Sequence, residues 1–317
     1  MPIGAKEEVL APKEAKRYRT LQSFLEERFP YPIRTVTVDA GASSQPRNGP
    51  VQVGGCMYCY SRGPRAPLHE PPMPVAAQVR QGLERLRRRQ PSACAMASFP
   101  PAANAHAPID VLQRCYGEAL EVDGVVGIAV GTRPESLTEE ALKLLEGIAK
   151  THEVWLEMGP QTVHDEQREV GGQSSISTPW TEAVERAAGR GLHQVTHLIL
   201  GLPGEGPHET IKTVEALATL PFNGVKLHHL MVFDETDLAD LWRRRHFSLI
   251  AAEAYIDLVV GVLEHLPPEV VIHRLVAEPH PWERLLAPRW RQSPEEMLVA
   301  IDAELVRRDT RQGARRP

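Results

Sequence analysis

The chain has 317 residues, is 42% hydrophobic and carries a formal net charge of −5. This length suits one large domain, and the mild acidity gives no global basic field for nucleic acid. The charged N-terminus does not resemble a signal peptide, no apolar run reaches the roughly 18 residues of a membrane span, and four cysteines are too few for a disulfide framework. The expected compartment is therefore a reducing, cytoplasmic one.

Residues 1–30 are expected to form an N-terminal helical extension, through "KEAKRYRTLQSFLEERF". From about Thr35, short β-branched runs alternate with longer helical patterns. The strands are read as "RTVTVDA", "SACAMASF", "GVVGIAVG", "HEVWLEMG", "HQVTHLILG", "GVKLHHLMVF" and "EVVIHRL". Helices are expected over Ile109–Leu120, Thr138–Ala149, Pro179–Ala188, His208–Leu220 and Leu249–Leu266, each flanked by start or stop residues. The arginine clusters Arg85 with Arg87 to Arg89, Arg243 to Arg245, and the C-terminal run are read as solvated helix faces or a frayed end. The last six residues, "QGARRP", are expected to be disordered.

Continuous apolar strands separated by helices point to an α/β fold with a parallel sheet and helices packed outside it. In such folds the chemistry sits at strand tips. The tips here are Asp39–Gly63, Phe99–Pro108, Gly131–Pro134, Gly159–Asp165, Gly201–Glu205 and the segment after Leu230.

The first tip, "VDAGASSQPRNGPVQVGGCMYCYSRG", carries Cys56 and Cys59. A Cys-x-x-Cys pair offers two soft thiolate ligands. Spacing alone is compatible with half of a zinc site, a redox dithiol or part of an iron–sulfur site. A redox dithiol should lead directly into a helix; "YSRGPRAP" is a poor helix start. Cys115, beside Leu112 and Ala119 in a helical pattern, is read as a core residue.

The whole chain resembles the radical S-adenosylmethionine (SAM) proteins of the YhcC/YtqA type, relatives of the elongator catalytic subunit. The match begins with Val38-Asp39-Ala40-Gly41 and with Gly54-Gly55-Cys56-Met57-Tyr58-Cys59. It continues through "APIDVLQRCYGEAL", "GVVGIAVGTRPESL", "VWLEMGPQTVHD", "HLILGLPGE", "GVKLHHL", "VVIHRL" and "AIDAELVRRDTRQG". The resemblance implies a parallel (β/α) partial TIM-like barrel over residues 31–275, with a helical C-terminal segment over 276–317. It further implies a 4Fe–4S cluster and S-adenosyl-L-methionine as cofactors, and an electron donor as partner. An RNA link follows only by analogy with the elongator relative.

Residue by residue, the resemblance makes Cys56 and Cys59 cluster ligands. Ser44 stands where the family has its first cluster cysteine, with eleven residues between it and Cys56. Tyr58, Gly131, Thr132, Arg133, Glu157, Gln161, Gly201, Pro203 and Gly204 would approach SAM or frame its pocket. Lys226, His228, His273 and Arg274 would line the substrate end. A serine hydroxyl is a hard, weak ligand beside a thiolate. Two expectations therefore stand: a radical SAM enzyme whose cluster is held by Cys56, Cys59 and a substitute such as Cys94, Ser44 or a small thiol, or a pseudoenzyme that keeps the barrel as a binding protein. A zinc- or dithiol-bearing structural protein is the third class.

Overall fold

The computed structural model describes residues 16–40, 73–100, 107–161, 177–234, 236–279 and 283–316. Ser44, Cys56, Tyr58 and Cys59 lie outside the described residues, as does the side chain of Gln161.

Seven parallel strands form a curled half-barrel: β1 (Ile33–Thr37), β2 (Cys94–Phe99), β3 (Val125–Gly131), β4 (Glu153–Gln161), β5 (His193–Leu200), β6 (Gly224–His229) and β8 (Val271–Arg274). Each pairs with the next in that order, so β1 and β8 are the two edges. Helices α2 (Val75–Arg87), α3 (Ile109–Leu120), α4 (Glu139–Ala149), α5 (Ser177–Ala187), α6 (Pro207–Leu217) and α8 (Ala252–His265) alternate with the strands. Side chains of a strand point alternately to its two faces. On β4, Val154, Leu156 and Met158 therefore join the large core beneath the helices. Trp155 and Glu157 turn the other way, into the concave face.

The expected elements form with few shifts. The tail of "GVKLHHLMVF" does not continue β6. It breaks at Leu230, and Val232–Phe233 becomes β7, paired antiparallel with β9 (Leu285–Ala287) in a separate small sheet. The reason is burial: Leu230 and Val232 pack with Leu202, Leu238 and Ala239 in a satellite core over the C-terminal strand ends. Helices α2 and α7 (Asp237–Arg243) arise beyond those named from the sequence, and α9 (Pro294–Arg307) lies in the C-terminal segment expected to be helical. Each begins at a start signal. Pro74 precedes α2, Thr236 caps α7, and Ser293 with Glu296 forms a capping box on α9.

The N-terminal extension is shorter than expected in its described part, where helix α1 spans Leu21–Arg28 after the Thr20 cap. Its role is to close the lower end of the half-barrel. Phe24 and Leu25 pack with Met96, Ala129, Trp155, Val195 and Val271 as an apolar floor. Burying two such side chains contributes at most roughly 3–6 kcal/mol. Arg28 pairs with Glu153 and, like Arg19, lies over the Phe24 ring. The C-terminal run is held in place, against the expectation of disorder. The buried Gln312 amide donates to the carbonyls of Pro267 at 2.5 Å and Val270 at 2.8 Å, while its oxygen accepts from the Arg19 amide at 2.9 Å. Bonds made inside the molecule, invisible in a polar and arginine-rich tail, fix it.

Candidate functional site

Above the apolar floor, the next inward-facing positions are polar. Register explains how they meet. Glu157 of β4 pairs with Val195 of β5, and His197, two residues on, lies diagonal to it on the same face. His197 in turn pairs with Lys226 of β6. The Lys226 ammonium donates to Glu157 Oε1 at 2.6 Å, and His197 Nε2 lies 3.2 Å from Glu157 Oε2. His228 stacks on His197 with centroids 5.4 Å apart, and His273 sits edge-on to Trp155 at 5.0 Å. Gly224 makes room for the last of these. A Cβ there would lie 2.6 Å from His273 Nε2, so only glycine admits the ring.

Burial sets the protonation of this layer. It pushes the Glu157 carboxyl up, but the His197 hydrogen bond and the Lys226 charge outweigh it and hold the group well below the usual carboxylate range. Burial lowers His197 against the pull of Glu157, and lowers His228 with help from the His197 and Arg274 charges. His273 is pushed down to about 3, by burial first and then by Lys226. Lys226 is lowered by burial, partly offset by Glu157. At neutral pH the layer therefore holds one carboxylate–ammonium pair and neutral imidazoles. A neutral His197 with its proton on Nε2 donates to Glu157. His228 Nε2 and His273 Nδ1 are buried and make no hydrogen bond among the described residues. Among the described residues no group of three or more His, Cys, Asp or Glu is placed to hold a metal ion.

The other expected residues lie at the C-terminal strand ends, with Thr132 turned to the helix side beside Leu112, Tyr116 and Leu137. Gly131 pairs with Glu157 across β3 and β4, and the Thr132 amide donates to the Glu157 carbonyl at 3.0 Å. Thr132 is buried, while Arg133 is exposed. Gly201, Pro203 and Gly204 form the turn after β5, with φ of 79° at Gly201 and 81° at Gly204. The position of a Gly201 Cβ is 3.0 Å from Ile250 Cγ2. Gly201→Ala is therefore expected to cost about 1–3 kcal/mol through its left-handed backbone, seen as a lower urea midpoint. Arg274 pairs with Lys226 across a register shift that inserts His273, and its exposed side chain stands at the β8 edge.

His197 and Trp155 were missed in the sequence. Counting by twos from Glu157 and Val195 would have found both, once the register was known. Cys94 does not serve as a substitute ligand at the tips. It begins β2 opposite Ile33 and packs against the apolar floor, at the far end of the strand. Cys115 is buried in the core, as expected.

Among the described residues no helix is long and apolar enough to cross a membrane. Residues 53–217 match the model of the radical SAM superfamily, and residues 222–307 match that of the Radical_SAM C-terminal domain. The chain is 30% identical to the uncharacterized protein YtqA of Bacillus subtilis over 94% of this chain and 92% of that one. It is 31% identical to protein YhcC of Escherichia coli, over 89% and 90%. The archaeal Methanocaldococcus infernus Elp3 with an N-terminal deletion superposes with a TM-score of 0.67 at 15% identity, covering 89% of this chain and 64% of that one. That likeness confirms the half-barrel. The chain belongs to the radical SAM superfamily, among proteins of the YhcC/YtqA type related to elongator.

Proposed function

We propose that this protein is a radical SAM enzyme that holds a 4Fe–4S cluster and S-adenosyl-L-methionine at the C-terminal ends of the strands and abstracts hydrogen from a substrate seated on the polar layer. The observation that carries this reading is a pair of buried nitrogens without hydrogen-bond partners among the described residues, His228 Nε2 and His273 Nδ1, on adjacent strands of a family half-barrel. Such atoms fit a polar ligand above an apolar floor. When bound and reduced by an electron donor, the cofactors supply a 5′-deoxyadenosyl radical. The chain's own residues do the rest. Cys56 and Cys59 are soft ligands for iron, with Ser44 at the third position. Tyr58, Gly131, Thr132, Arg133, Gln161, Gly201, Pro203 and Gly204 frame the SAM side. Glu157, fixed as a carboxylate by Lys226 and His197, is an acceptor for ribose hydroxyls or substrate donors. Lys226, His228, His273 and Arg274 orient the substrate, and the floor beneath them excludes water from below. RNA is the substrate class offered by analogy with the elongator relatives.

Ser44 favours a second reading, a pseudoenzyme that keeps the barrel as a binding protein. Two thiolates and one hydroxyl form a weaker donor set for iron than three thiolates. Anaerobic reconstitution of the native protein and of Ser44→Cys separates the two readings. The native protein is expected to bind iron and sulfide with labile visible absorbance. The variant is expected to gain iron toward four per chain, the stoichiometry of a 4Fe–4S cluster. Calorimetry with SAM should give binding in the reconstituted form. A native chain that takes up no iron and binds no SAM leaves the pseudoenzyme reading in place.

A further inference from the structure

We infer that the outer edge of β1, which pairs with no other strand among the described residues, is a docking site for an extended acidic peptide segment of a partner protein. A groove of about 840 Å³ runs along this edge beside α2. Arg34, Arg85, Arg88 and Arg89 line it, and among the described residues no acidic one does. All four side chains are exposed, and none makes an ion pair among the described residues. Several arginines elsewhere are neutralised: Arg190 by Glu139 and Glu146, Arg243 by Asp234, and Arg308 by Glu304 and Asp257. A single edge cation would serve only to discourage pairing between copies. Four unneutralised ones over one groove set up a field for an anionic partner.

The backbone decides which anion fits. The Cys94 amide donates to the Pro32 carbonyl, and the Val38 amide donates to the Ser98 carbonyl. In a parallel ladder alternate residues face the same neighbour, so the even-numbered residues of this stretch address β2. Thr35 and Thr37, both exposed, turn their amides and carbonyls outward into the groove. A nucleic-acid backbone could use the amides, but its phosphate oxygens would face the outward carbonyls without a donor. A peptide strand supplies donors and acceptors alternately, and its acidic side chains reach the arginines. Strand addition with charge selection therefore fits both halves of the groove.

The test uses the full chain and a fluorescein-labelled eight-residue peptide of alternating glutamate and threonine, read by anisotropy. A lysine-for-glutamate peptide and a uridine octanucleotide serve as comparators. The acidic peptide is expected to bind, with affinity falling as salt rises, and the lysine peptide is not. Arg85→Gln/Arg88→Gln/Arg89→Gln should weaken binding about tenfold or more, at roughly threefold per exposed pair. Thr35→Pro, which removes one outward amide, should also weaken it. Should that variant fail to fold, slowed amide exchange at Thr35 and Thr37 on peptide addition in the native chain gives the same answer. Absence of peptide binding, or equal binding by the triple arginine variant, overturns the proposal. So does tight binding of the uridine octanucleotide that Thr35→Pro leaves unchanged, which would make the groove a nucleic-acid surface.

Discussion

Glu157→Ala is expected to lower stability by about 3–5 kcal/mol, the range for removing one partner of a buried ion pair. Glu157 is 9% exposed, and its carboxylate holds two groups at once, Lys226 and His197. Without it, the Lys226 ammonium stays among His197, His228 and His273 with no anion to face. The lysine answers by losing its proton more readily, because burial already lowers it and Glu157 is what raises it. That release limits the loss. Glu157→Gln should cost less, since an amide still accepts from Lys226. The informative comparison is Glu157→Ala with Lys226→Met in one chain. Replacing both charges by apolar groups is often neutral or stabilising, so the double variant should recover most of what the single one loses. Urea unfolding followed by tryptophan fluorescence measures all three, with Trp155 in the layer below as reporter. A loss under about 1 kcal/mol for Glu157→Ala would place the pair in the range of exposed ion pairs and remove the basis for a fixed carboxylate.

The strands were legible because parallel strands buried on both faces read as short apolar runs between turn signals. "GVVGIAVG" and "HQVTHLIL" could hardly be anything else in that context. The layer residues were singled out only through family resemblance. Glu157 lies far along the chain from Lys226 and His228, and only strand register brings it beside them. His197 shows the limit well. It sits in a strand with ordinary alternation, and nothing local distinguishes it from an exposed histidine. Its importance appears once β4, β5 and β6 are aligned. The C-terminal run failed in the opposite direction. Its polar composition suggests disorder, whereas Gln312 satisfies three buried backbone groups. The arginines of α2 read as a solvated face, and their exposure agrees with that. What the sequence could not convey was that they share a groove with a free strand edge.

Between pH 7 and pH 5 the protein is expected to lose about 4 kcal/mol of stability, with histidines as the cause. His229 faces outward from β6, between Trp290 at 4.3 Å and Tyr255 at 5.5 Å between ring centroids. Its burial there pushes its pKa down to about 4. His273 is pushed down to about 3 by burial and then by Lys226. Both groups have folded values below their unfolded ones near 6.5. Below pH 6.5 the unfolded chain therefore binds protons that the folded chain refuses, and stability falls as pH falls. At pH 5 each contributes a loss of about 2 kcal/mol, from the ratio of the two protonation terms. His197 and His228 are lowered too and add to the same slope. Glu157 does not contribute in this window. Its folded pKa is depressed, so its stabilisation is fully present above the unfolded carboxylate range and fades only at lower pH. Urea midpoints at pH 7, 6 and 5 give the slope. His229→Phe keeps an aromatic ring between Trp290 and Tyr255 and removes one titrating group, so it should flatten the slope by up to one proton. A native midpoint that stays level from pH 7 to pH 5 would mean that these rings take up protons freely, and that the polar layer is open to water.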